Sequence, residues 1–201
     1  MNNPPSNPPS GTAMGRQVIA ASSSLLAGVW IVALSAIPSA QSYRDQLASG
    51  VEADKIITAY DAMTVIVPIT MIGAWIITSR WLRQLHDVAT ASNPTAIRRS
   101  RKWVFWSWIV PVVSLWYPKN LIDDLLKTNG SDEAKSFLGK DTMTWWLTWI
   151  GFALVNNASI VATFDAPSDY VPIRPELEIA AACLLTGSYL VWIRIIRVLG
   201  D

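Results

Sequence analysis

The chain has 201 residues, of which 51% are hydrophobic and only 15% charged, with a formal net charge of +1. Soluble domains carry about 25% charged residues to keep their surface in water, so this composition excludes an ordinary soluble globule. The near-neutral total gives no electrostatic footprint for nucleic acid. The single cysteine, Cys183, excludes an intramolecular disulfide and a cysteine metal cluster.

Residues 1–15 open with MNNPPSNPPSG, which lacks a basic n-region, so a secretory signal is not expected. This stretch reads as a disordered, partly polyproline-like tail ahead of a single membrane domain over 16–201. A bilayer core of about 30 Å needs about 20 apolar residues in a helix. Four runs reach that length: about 18–38, 58–79, 142–164 and 176–199. Asp141 is a plausible N-cap for the third. Pro175-Glu176-Leu177-Glu178 opens the fourth, with proline in the first turn and acids at the positive end of the helix dipole.

The segment WVFWSWIVPVVSLW, from Trp103 to Trp116, is too short to cross a bilayer and has Pro111 inside it. It reads as a re-entrant or interfacial helix-break-helix over 103–118, with LIDDLL as an amphipathic continuation. Charge supports this. With both termini cytoplasmic and this segment returning to its own side, only Arg44, Lys55 and Arg174 of the 16 Lys and Arg lie outside, leaving thirteen inside. A crossing segment would give eight on each side, so the positive-inside rule selects four spans. The outer loops, which include Glu176 and Glu178, are then acidic. Arg98, Arg99, Arg101 and Lys102 form an inner basic cluster suited to anionic lipid.

Candidate chemistry is sparse. His86, the only histidine, lies beside Asp87, but neighbours on a helix point about 100° apart, so a solvated helix-face histidine is expected rather than a dyad. Cys183 is expected to be a buried, inert thiol. No metal or cofactor set appears. Asn156 and Asn157 fall inside the third span, where amides either join helices by hydrogen bonds or line a site. Seven of the eleven tryptophans lie between Trp103 and Trp149: Trp103, Trp106, Trp108, Trp116, Trp145, Trp146 and Trp149. They read as a boundary belt, or alternatively as the wall of a pocket for a lipid tail or quinone-like ring.

The order Trp81-x-Arg83, a basic stretch, WVFWSWIVPVVSLWYPKNLIDDL and then TWWLTWI resembles an actinobacterial membrane family known as domain of unknown function 4328. Trp106, Pro111, Leu115, Trp116, Pro118, Trp145, Trp146 and Trp149 match its pattern over about residues 60–200. Ser114 stands where that family usually has Asn, and Tyr117 where it usually has Arg. The resemblance implies a bacterial plasma membrane and an unassigned activity. The expected fold is therefore all-α, with four transmembrane helices. The expected role is a non-catalytic accessory or scaffold subunit that contacts the lipid bilayer and a membrane-protein partner. The alternative is a small transporter or lipid/quinone-binding protein that uses the Trp-rich segment.

Overall fold

The computed structural model describes residues 11–95, 97–110, 112–164 and 171–200. All regular structure among them is helical. The helices are α1 (Gly11–Ala48), α2 (Ala59–Met63), α3 (Ile66–Ser92), α4 (Trp103–Trp106), α5 (Tyr117–Asn129), α6 (Asp132–Phe137), α7 (Lys140–Phe164) and α8 (Pro175–Gly200). Four helices are long and apolar enough to cross a membrane, as the hydropathy runs predict.

Their bounds differ from the apolar runs for physical reasons. α1 begins at Gly11, inside the stretch assigned to the tail, while residues 1–10 lie outside the described residues. It also continues past Pro38. A proline removes one backbone hydrogen bond, and the polar turns that follow still bury Ala40 and Tyr43. The second span is interrupted between α2 and α3. At the start of α2, the Asp61 carboxylate accepts from the Thr58 backbone N–H at 2.7 Å and from its hydroxyl at 2.9 Å. Pro68 falls in the first turn of α3, where a backbone N–H has no intrahelical partner to lose. α7 starts one residue before Asp141, which sits in the first turn rather than at the cap. α8 starts on Pro175, as its sequence suggests.

Two compact units emerge from the contacts. The first comprises Met1–Ala21, Trp75–Met143 and Val191–Asp201, and the second Ser22–Ala74 and Thr144–Leu190. The whole stretch between the second and third spans therefore falls in one unit, together with the start of α1 and the end of α8.

In the first unit, α5 buries Leu121, Ile122, Leu125 and Leu126, the i, i+1, i+4, i+5 stripe expected of LIDDLL. Trp81 and Trp192 meet edge to face at 6.1 Å, and Asn129 donates to the Val198 carbonyl at 3.2 Å, tying α5 to α8. In the second unit, α1 packs closely on α3. A Cβ on Gly28 would come within 3.1 Å of Ile66 Cγ2, so any larger residue there would have to push the Ile66 side chain aside. Trp30 Nε1 donates to Thr186 Oγ1 at 3.0 Å, and the Ser23 and Tyr189 hydroxyls meet at 2.5 Å, linking α1 to α8.

Candidate functional site

The tryptophan candidates are divided between the units. Trp103, Trp106, Trp116 and Pro118 belong to the first; Trp145, Trp146 and Trp149 belong to the second, with Asn156 and Asn157. In the first unit no continuous helix runs through 103–118. α4 is one turn, a 3₁₀ turn follows at Val113–Leu115, and α5 begins at Tyr117. Pro111, the expected breaker, lies outside the described residues. Val112 has φ of 59°, a left-handed value that a β-branched residue adopts only under strain. The segment exposes several large apolar side chains: Trp106 is 53% exposed and Val112 63%, and Trp103, Ile109, Leu115 and Trp116 are also exposed. Pro118, by contrast, is fully buried as the second residue of α5.

The same segment is fastened to α3 along one helical face. Trp75, Ser79, Arg83 and His86 are spaced by four, four and three residues, which places them in a row. Trp75 Nε1 donates to the Phe105 carbonyl at 3.1 Å. Arg83 stacks its guanidinium 4.8 Å from the Phe105 ring centre, and His86 Nε2 lies 2.9 Å from the Arg99 carbonyl. His86 is thus buried, not solvated: Leu82 and Ala89 flank it on the packed face of α3. Its Nδ1 is 3.8 Å from Asp87, too far for a hydrogen bond, so no dyad forms. Ser79 Oγ, Arg83 Nε and His86 Nδ1 of this row are buried without a hydrogen-bond partner among the described residues, and so is Ser107 Oγ of the segment itself.

Two members of the basic cluster have acidic partners within the chain. Arg101 makes a two-pronged pair with Asp87 at 2.7 and 2.9 Å, and Arg99 pairs with Asp124. Arg101 stays exposed despite its pair with Asp87, whereas Arg99 is half-buried against Asp124. Arg98 and Lys102 are exposed. Arg99 also lies 5.8 Å from the Tyr117 ring centre, and the Tyr117 hydroxyl donates to the Ser100 carbonyl at 3.0 Å. Burial pushes the Tyr117 phenol up to about 12; Arg99 opposes this shift and Asp124 adds to it.

In the second unit, Trp145 and Trp146 are buried, so they serve as core there. Asn156 is half-buried and Asn157 exposed. Asn157 donates to the Ala153 carbonyl of its own helix at 2.7 Å rather than across to a neighbour. Cys183 is exposed, which corrects the expected buried thiol.

Glu178, expected on the acidic outer surface, is only 6% exposed. Its Oε1 accepts from the Tyr60 hydroxyl at 2.6 Å and from Ser159 Oγ at 2.5 Å. The Tyr60 backbone N–H in turn donates to Ser39 Oγ at 3.1 Å. One carboxylate therefore joins α2, α7 and α8, and Tyr60 adds α1. Such short O–H···O contacts are typical of charge-assisted bonds. The first turn of α8, where Glu178 sits, favours negative charge. Extrapolating the buried face of α8 back from Ala181, Ala182 and Leu185 lands on position 178; that periodicity is the sequence signal that marks it. No group of three His, Cys, Asp or Glu able to hold a metal occurs among the described residues.

The family described as Domain of unknown function (DUF4328) matches residues 44–199, most of the chain, and the chain belongs to that family. The match begins upstream of the stretch that carries the visible resemblance. No curated protein and no solved structure matches.

Proposed function

We propose that this chain, as a member of that family, is a non-catalytic multi-pass protein of a bacterial plasma membrane, with both termini cytoplasmic. In this reading it is an accessory or scaffold subunit of a larger membrane complex. The observation that carries the reading is the exposed aromatic and aliphatic face of the segment between α3 and α5. Single exposed apolar residues are ordinary, but six within one short segment outside the four long helices call for a cover. Trp, Ile and Leu at a membrane boundary suit either the flank of another membrane protein or the interfacial lipid. The ion pairs of Arg99 and Arg101 and the Trp75 bond to Phe105 brace the segment, so it is presented rather than loose.

A second reading, lipid or quinone binding at the same face, draws on the exposed Arg98 and Lys102 beside Trp103 and Trp106. These cations are placed to meet an anionic headgroup while the rings enter the acyl boundary. Purification from native membrane with and without Trp106→Ala and Leu115→Ala tests the two. A stoichiometric membrane protein that is lost in the variants is the expected result. Retention of that protein, with loss of a bound lipid or quinone mass instead, would replace the first reading with the second.

A further inference from the structure

We propose that His86 is a proton-operated clamp: proton uptake at its Nδ1 draws in the Asp87 carboxylate and fastens the stretch 99–101, and with it the start of the Trp-rich segment, to α3. His86 is buried. Its Nε2 lies 2.9 Å from the Arg99 carbonyl, which can only accept, so Nε2 carries the hydrogen and Nδ1 of the neutral ring is bare. That bare nitrogen is an acceptor with no donor among the described residues. It faces Asp87 Oδ1 at 3.8 Å, which is also an acceptor. Two acceptors cannot bond. A proton on Nδ1 turns the mismatch into a charge-assisted bond, which closes to about 2.8 Å.

Asp87 is free to make that move. Its side chain is 47% exposed, and Arg101 engages two of the roughly four lone-pair sites a carboxylate offers. The charges about the ring are mixed. Arg83 on α3 and Arg99 and Arg101 on the stretch oppose a further positive charge, whereas Asp87 and, on α5, Asp124 favour it. Arg99 is paired with Asp124 and Arg101 with Asp87. The bonds from Arg101 hold the Asp87 carboxyl below the usual carboxylate range, and burial keeps the Tyr117 phenol of α5 neutral. The charge that changes between about pH 5 and 8 is then that of an imidazole.

The stretch carries the clamp onward. The Ser100 carbonyl accepts from the Trp103 backbone N–H at 3.0 Å and the Arg101 carbonyl from that of Val104 at 3.3 Å. Fixing 99–101 therefore fixes the first turn of α4. The clamp is made in acid and released as pH rises. It acts whether the segment meets a protein or a lipid, so it stands apart from the accessory-subunit reading.

The test uses the full chain, free of any histidine tag, in lipid nanodiscs. Long-range proton–nitrogen NMR of its one imidazole should show hydrogen on Nε2 alone at high pH and on both nitrogens in acid. Amide protection of Trp103 and Val104, corrected for intrinsic exchange, should rise about ten-fold from about pH 8 to about pH 5, the factor that one charge-assisted bond supplies. His86→Gln, which keeps an N–H for the Arg99 carbonyl, should leave protection independent of pH. In Asp87→Asn the imidazole should still titrate while protection no longer follows it. Hydrogen on Nδ1 at high pH, no proton uptake between about pH 5 and 8, wild-type protection indifferent to pH, or an equal rise in His86→Gln or Asp87→Asn would each overturn the proposal. The wild-type measurements decide the matter even where a variant fails to fold.

Discussion

The two units hold themselves together with different chemistry. The unit containing Trp75–Met143 ties its loops down with ion pairs and ring contacts: Arg101 on Asp87, Arg99 on Asp124, Lys119 on Asp123 at 2.5 Å, and Arg83 over Phe105. The unit containing Thr144–Leu190 has ring contacts of its own, Trp145 with Trp146 and Trp149 with Phe152, and an exposed pair, Lys55 with Glu52. Its buried ties are instead hydroxyls, an indole and one carboxylate without a basic partner among the described residues. Ion pairs at the surface are screened by salt and hydration. Hydroxyl–carboxylate bonds inside a packed helix bundle are shielded from both. The first unit is therefore vulnerable to ionic strength and exposure, the second to loss of a single donor.

The largest blow is expected from the aromatic core of the first unit. Trp81 is fully buried, and Trp81→Ala should cost about 3–5 kcal/mol through lost packing and a cavity. A thermal melt in detergent reads this directly. A loss below about 1 kcal/mol would mean that the Trp81–Trp192 contact does not organise the unit.

Next comes the buried carboxylate of the second unit. Tyr60→Phe removes one donor to Glu178 and should cost about 1.5–3 kcal/mol. Combined with Ser159→Ala, the loss should depart from additivity, since both hydroxyls serve one oxygen. Neither loss should change between low and high salt.

Arg99→Gln provides the contrast. It breaks a partly buried pair whose side chains are 25% and 16% exposed, and about 1 kcal/mol is expected, shrinking as salt rises. Equal salt sensitivity of Arg99→Gln and Tyr60→Phe would erase the distinction between the units.

The smallest effect is alkaline. The Tyr117 phenol is raised from 10.0 to about 12, so the neutral form is favoured in the folded state. Its contribution to stability is complete below pH about 10 and is lost as pH rises through about 12. Phenolate absorbance should show a late-titrating component that Tyr117→Phe removes.

How much of this is legible in the sequence depends on distance along the chain. The four long helices follow from local hydropathy, and the short, broken character of 103–118 follows from length and proline. Helix ends are less visible, since α1 carries on through polar residues that tertiary packing, not hydropathy, keeps helical. Burial of charge is least visible. Glu178 reads as an outer-surface acid because Tyr60, its partner, lies 118 residues away. His86 reads as solvated because the carbonyl that covers it belongs to Arg99, beyond the end of α3. Asn157 shows the reverse case: a polar residue in an apolar run suggests contact inside the chain, whereas the structure turns it outward.

We propose that everything between the second and third spans stays on one side of the membrane. Single cysteines in a Cys183→Ser background, treated on intact cells with a membrane-impermeant thiol reagent, test it most directly. Ser49→Cys, just after α1, should label, while Ser92→Cys at the end of α3 and Ser131→Cys ahead of α6 should both stay dark until the cells are opened. Labelling of Ser131→Cys on intact cells, with Ser92→Cys still dark, would show that the Trp-rich segment crosses the bilayer and would contradict the account.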